Sequence, residues 1–242
     1  MLPPKNIFQG NFFCVKSFRS FAAGKGCPLP YIPFKTITHV SNDCRILECA
    51  QKLFSRFGLK SVTMDDIARE IGISKKTIYQ SYSDKDKLVH AYLEREKAEQ
   101  ITMMEEITKS SKNAVEEILN AMQFMGKTFS RINPNLFYDM SKYHHESWNL
   151  FKAFKEEYLM KYVIRNLEKG KEEGLYRADI SNKTLARLRL EQIEMAMNPS
   201  IFPPDKFNHV DVQIQLLDHF LHGIATLKGH KLINKYRQID EE

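Results

Sequence analysis

Between Ile73 and Leu88 the chain reads ISKKTIYQSYSDKDKL, with adjacent lysines at Lys75 and Lys76, two tyrosines and a row of small hydroxyls. Ser74 is a helix-capping residue type, so Lys75 and Lys76 fall at the first two helical positions. The positive end of the helix dipole disfavours cations there. That local cost points to an anionic partner, and DNA phosphate or the O6/N7 edge of guanine fits two lysines so placed. Gln80 has the donor and acceptor that adenine recognition needs. Ile78 and Tyr82 are four residues apart and share a face, which assigns Tyr82 to the core. Tyr79 points away from that pair, toward a backbone phosphate.

Such a helix must be held out from a small folded frame, and the flanking residues supply one. Ile46, Leu47, Ala50, Leu53, Phe54 and Phe57 make one apolar helical stripe, with Ser41, Asn42 or Asp43 as its cap and Gly58 after its end. A second helix is announced at Thr63, whose hydroxyl can accept from the amide of Asp66, while Val62 and Ile67 form a hydrophobic staple. Ile67, Ala68 and Ile71 make its buried face, and Gly72 permits a tight turn. The third helix repeats the device with Ser74 as cap and Ile73 and Ile78 as staple, and it has room for only about two turns. Asp84 caps a fourth. Two short helices joined by a turn containing glycine are the helix-turn-helix arrangement, in which the second helix enters the major groove.

Beyond that frame the pattern stays helical. Amphipathic runs cover roughly 85–109, 113–131, 134–147, 150–173, 181–197, 205–226 and 228–238. Their breaks carry Asn133-Pro134, Gly174, Ser181, Pro199 and Pro203-Pro204. The fold class is all-α, a three-helix N-terminal helix-turn-helix followed by a larger helical body. Residues 1–40 have no sustained periodicity. They carry Lys5, Lys16, Arg19, Lys25 and Lys35 with no acidic residue, and read as a disordered extension. The expected division is this extension, a DNA-binding domain over 41–88, and a ligand-binding and dimerisation domain over 89–242.

Charge follows the same division. The net charge is +6, but residues 91–242 hold 22 basic and 23 acidic side chains, so no basic channel runs through the body. Cys14, Cys27, Cys44 and Cys49 have no CxxC spacing, which reads as a reduced cytoplasmic protein with Cys44 and Cys49 as small helix-face hydrophobes. No apolar run approaches the ~20 residues a membrane span needs.

The stretch ILECAQKLFSRFGLKSVTMDDIAREIGISKKTIYQSYSDKDKLVHAYLE resembles the TetR family of bacterial transcriptional regulators. The resemblance rests on a helix ending LFSRFG, a T-x-x-D-I-A helix followed by Gly72, then S-K-x-T-I-Y and D-K-x-x-L, in order and at family spacing across about residues 44–94. Further on, GLYRADIS (Gly174–Ser181) and GIATLKGHKLI (Gly223–Ile233) also look family-like. The resemblance implies that Lys75, Lys76, Thr77, Tyr79, Gln80 and Ser81 meet bases or phosphates, and that Thr63 and Lys85 meet phosphate. It implies a homodimer reading a palindromic operator on double-stranded DNA, and a repressor released by a small apolar or amphipathic effector. Activation, or an effector-independent architectural role, would use the same head. Ser81 stands where the family often has an aromatic residue or His, and Lys76 where Gly or Pro is usual, so the operator sequence does not carry over.

The body is rich in Met and aromatic residues, and Phe129, Tyr138, Trp148 and Met195 are the candidates for the effector pocket, with ordinary bundle core as the competing reading. His144-His145-Glu146 and His219/His222 invite a metal reading. Adjacent histidines on a helix diverge, however, and the second pair reads as solvated or interfacial. No catalytic residue, cofactor or metal is expected, because no nucleophile elbow, phosphate loop, HExxH or paired-carboxylate motif is present.

Overall fold

A computed structural model describes residues 42–130, 132–133 and 135–237; the expected extension over 1–40 lies outside these. The chain is all-α. Its helices are α1 (Asn42–Phe57), α2 (Met64–Ile71), α3 (Lys75–Ser81), α4 (Lys85–Ser110), α5 (Ala114–Phe129), α6 (Leu136–Tyr143), α7 (His145–Phe154), α8 (Met160–Glu172), α9 (Asn182–Ala196), α10 (His209–Ile224) and α11 (Leu227–Arg237). A π-helical turn, Lys155–Leu159, joins α7 to α8. Among the described residues the sole β feature is an isolated antiparallel bridge between Tyr176 and Ala225.

Three helix boundaries differ from the sequence expectation, each for a local reason. The run expected over 134–147 is cut at His144, which has φ −130° and ψ 68°. His144 is buried and its Nδ1 lies against the Asp86 carboxylate, so the chain turns there to deliver a side chain to α4. The run expected over 150–173 carries the π turn, where buried Lys155 leaves the helix surface to reach Glu191 and Glu194 of α9. The run expected from 205 starts only at His209, because Asn208 Oδ1 accepts from the amides of both Val210 and Asp211.

The apolar interior divides into two clusters. The first takes Ile46, Ala50 and Phe54 of α1, Ile67 of α2, Ile78 of α3, Leu88 and Tyr92 of α4, and also Leu136 and Met140 of α6. The second fills the body with Val115, Leu167, Tyr176, Leu190, Leu221 and Ile233 among others. Phe57, expected on the buried stripe of α1, is 46% exposed. It is the last residue of the helix, with the Arg56 guanidinium 4.9 Å from its ring centroid.

The two family-like segments of the body clasp each other. Thr226 donates its amide to the Leu175 carbonyl at 2.9 Å, and Arg177 donates to Ile224 at 2.9 Å. A Cβ added at Gly170 would lie 1.9 Å from the Tyr176 ring, and one at Gly229 would lie 2.2 Å from the Leu175 carbonyl oxygen. Only glycine permits these approaches.

Candidate nucleic-acid interface

The frame that carries α3 is built from local caps. Thr63 is extended, its hydroxyl accepts from the Asp66 amide at 3.1 Å, and its own amide donates to the Asp66 carboxylate at 2.9 Å, completing a reciprocal capping box. Asp66 is thereby held below the usual carboxylate range, first by the Thr63 hydroxyl and then by the Thr63 amide. Gly72 takes φ 69°, a left-handed turn open to glycine at little cost, and Ser74 Oγ accepts from the Thr77 amide at 3.1 Å to start α3. Asp84 Oδ1 accepts from Lys87 N at 2.8 Å to start α4. Both staples form, with Val62, Ile67 and Ile78 buried and Ile73 packed on the same cluster.

On α3 the fully buried residue is Ile78. At about 100° per residue, Lys76 and Gln80 point almost opposite to it, with Tyr79 and Thr77 on either flank. Lys76, Tyr79 and Gln80 are exposed, and Thr77 and Ser81 partly so. Tyr82 packs against the first cluster, as its spacing from Ile78 requires. The side chains of α3 therefore present a convex polar ridge of two cations, an amide, hydroxyls and a phenol.

Lys75 behaves differently from Lys76. Its ammonium donates to Asp65 of α2 at 2.9 Å, and that carboxylate raises its pKa. The unfavourable end charge inferred from sequence is thus half answered inside the head by Asp65, a residue that sequence reasoning missed because it sits ten positions away on another helix. Lys76 has no such partner among the described residues. Lys85, expected to meet phosphate, is half-buried. Its ammonium donates to the Leu59 carbonyl, and burial is the main cause of its lowered pKa.

The head is locked to the body through α6. Buried Asp139 accepts from the Lys60 amide at 3.0 Å, and the Asn133 amide donates to the Ser55 carbonyl at 2.7 Å. Gly58, at φ 83°, brings the α1–α2 turn so close that a Cβ there would lie 3.3 Å from Asp139 Oδ2. Lys87 of α4 pairs with Glu146 of α7 at 3.1 Å beside the His144–Asp86 contact.

A narrow cleft opens between α4, α6 and α7, with an inner volume of about 50 Å³. Tyr92, Glu96, Leu136, Phe137, Phe151 and Phe154 are among its lining residues. None of the effector candidates with a described side chain lines it. Tyr138 is 48% exposed with Lys142 near its ring, Met195 is half-buried on α9, and Trp148 stacks on Phe151 at 5.4 Å without lining the cleft itself; the side chain of Phe129 lies outside the described residues. Of the histidines, His144 is engaged by Asp86, and His222 faces His230 with Nδ1 atoms 2.8 Å apart rather than pairing with exposed His219.

Residues 46–92 match the family model for bacterial regulatory proteins of the tetR family. The chain is 29% identical over 186 residues to the uncharacterized HTH-type transcriptional regulator YvaF of Bacillus subtilis, a match covering 76% of this chain and 96% of that protein. The HTH-type transcriptional regulator SAB2452 of Staphylococcus aureus is 35% identical over 68 residues, 28% of this chain and 37% of that protein. In fold it is similar to a TetR-family regulator from Agrobacterium tumefaciens (TM-score 0.64, 18% identity, 76% of this chain and 97% of that one). It is equally similar to a transcriptional regulator from Saccharomonospora viridis solved with choline (TM-score 0.64, 19% identity, the same shares). The capped head, its exposed ridge and the match over 46–92 together identify this part of the chain as a TetR-type, DNA-binding helix-turn-helix, in a chain similar over most of its length to an HTH-type transcriptional regulator.

Proposed function

We propose that the protein is a cytoplasmic, homodimeric repressor that holds a palindromic operator through its two α3 helices and lets go when a small molecule enters the body. The observation that carries this reading is the shared core. Leu136 and Met140 of α6 belong to the same apolar cluster as Ile67 and Ile78 of the DNA-reading helices. A ligand that displaces α6 therefore displaces α3, because packed interiors shift as units. The division into a DNA-binding part over 41–88 and a ligand-binding and dimerisation part over 89–242 belongs to the same reading. Dimerisation is supported by apolar surface on the C-terminal elements, where Leu188, Ile201, Phe207 and Leu227 are exposed, Leu227 at 83%. Lys76 and Gln80 read bases, while Thr63, Lys75, Thr77, Tyr79, Ser81 and Lys85 hold the backbone.

Selection of purified protein on random duplex DNA at moderate salt tests this. Enrichment of an inverted repeat is the expected result, with half-sites about one helical turn apart. Enrichment of unpaired sites, or none with folded dimer, overturns it. Gln80→Ala is expected to relax preference at one or two base pairs, each a discrimination of about 1–3 kcal/mol. Equal loss on operator and random DNA refutes the role of Gln80. An activator or an architectural protein would give the same repeat, and a reporter promoter with and without the body's ligand separates these.

A further inference from the structure

We infer that the α4–α6–α7 cleft is built for a lipophilic monocation, with the Glu96 carboxylate as its counter-ion and Phe137, Phe151 and Phe154 as its apolar wall. This rests on the effector reading above and names the chemical class of that effector. Glu96 lines the cleft beside the rings of Tyr92, Phe137, Phe151 and Phe154. A carboxylate among aromatic rings costs desolvation free energy that a bound cation recovers, and ring faces add their own attraction for positive charge. Of the neighbouring cations, Arg95 acts on Glu96 but is the weakest of the four influences on that carboxyl. Lys97, which also lines the cleft, lies 2.8 Å from Glu94, and Arg95 lies 2.9 Å from Glu99. Glu96 accepts a hydrogen bond from a neutral donor, Gln51 Nε2 at 2.6 Å. Burial, followed by the charge of Glu99, pushes the Glu96 carboxyl above its ordinary range, against the hydrogen bond from Gln51 and the charge of Arg95. An anionic ligand meets the Glu96 charge here, and Lys97, the cation of the lining, is held by Glu94.

The inner volume of about 50 Å³ admits little more than one small group. A ligand with an alkylammonium head and an aromatic body must widen the gap between α4 and α6. Tyr92 and Leu136, which line the cleft, are also members of the cluster that holds α2 and α3. Filling the cleft and moving the head are therefore one event.

Trp148 is the single tryptophan of the chain, and its ring stacks at 5.4 Å on Phe151, so its fluorescence reports on the cleft without a label. The full-length dimer is titrated with benzyltrimethylammonium, with its uncharged carbon isostere neopentylbenzene, and with phenylacetate. The expected result is a saturable change with the cation at least tenfold tighter than with the isostere, no change with phenylacetate, and weakened operator binding at saturation. Glu96→Gln keeps the shape and the Gln51 contact, and is expected to remove the cation preference while leaving isostere binding unchanged. Equal affinity for cation and isostere in the unmodified protein overturns the cation assignment while leaving a small-molecule site intact. Preference for phenylacetate overturns it as well. If none of the three probes changes Trp148 fluorescence or operator affinity, the cleft is not the effector site and the effector reading falls with it.

Discussion

The head and the body are stabilised by different kinds of polar contact. In the head the hydrogen bonds that shape the helices are local: Thr63 with Asp66, Ser74 with Thr77, Asp84 with Lys87, each three residues apart. The body has such caps too, at Asn113, Ser181 and Asn208, and adds contacts between helices that are distant in sequence and buried. Glu117, with no exposure at all, lies 3.4 Å from Arg165 and 3.1 Å from Lys169. Lys155 crosses to Glu194, and the Asn166 amide donates to the Ala114 carbonyl at 3.0 Å while Tyr176 donates its hydroxyl to Asn166. Arg189 is buried without a carboxylate partner among the described residues, and desolvation lowers its pKa to about 10. The head spends its polar groups on starting helices at fixed places. The body also spends them on fixing how helices sit against one another, and this contrast orders the effects of substitution.

The largest effect is expected where a buried charge is stranded. In the double variant Arg165→Ala/Lys169→Ala, Glu117 keeps Thr108 as a partner but loses both cations. The loss is expected to be about 3–5 kcal/mol, read as a fall in the denaturant midpoint. Glu117→Gln should cost less, because Arg165 and Lys169 are partly exposed and can turn to water. If the two variants are equally destabilised, the buried carboxylate is not what the body depends on.

Next comes the clasp. Gly170→Ala drives a methyl into the Tyr176 ring, whose hydroxyl is anchored on Asn166, so the ring cannot move without breaking a buried hydrogen bond. Overpacking of this kind costs about 1–3 kcal/mol. Thermal unfolding checks it, and Tyr176→Leu in the same background should recover part of the loss. A Gly170→Ala protein as stable as its parent would mean that the Gly174–Ser181 turn is not held where it is described.

In the head the expected losses are smaller. Thr63→Ala removes one cap and should cost about 1 kcal/mol. It also unlinks Asp66, whose folded pKa lies below its unfolded value. A depressed acid contributes stability that is fully present above the unfolded value and is lost as pH falls through the folded one. Acid should therefore narrow the gap between parent and variant from about pH 4 downward, the ordinary Asp value. A gap that is unchanged down to pH 2 would show that Thr63 acts by packing alone.

The same contrast explains what could be read from the residues alone. Caps, staples and the positions of Gly58 and Gly72 are written within four or five consecutive residues, so helix starts, the turn and the inward side of α3 were legible. The break at His144, the π turn at Lys155 and the Asp65–Lys75 pair depend on partners 58, 39 and 10 positions away, and short-range periodicity carries no trace of them. The effector candidates were chosen by residue type, yet the cleft is defined by which of many aromatic side chains face α4. That is why Phe137 and Phe151 line it while Tyr138 is on the surface.

Lys85 is the residue on which the two kinds of contact meet, and it gives the smallest and sharpest effect. It starts α4 like a capping-region residue, yet its ammonium reaches the Leu59 carbonyl 26 positions back. A lysine committed to phosphate adds about one released counter-ion, so Lys85→Ala should lower the slope of log affinity against log salt by about one, on operator and random DNA alike. A lysine committed to Leu59 leaves that slope unchanged and instead loosens the α1–α2 turn, lowering the melting temperature. Because the ammonium carries several donors, one to Leu59 leaves others for DNA, and the expected result is the change in slope with only a minor loss of stability. An unchanged slope with a large fall in melting temperature would assign Lys85 to the frame and leave the lysines of α3 to hold the phosphates.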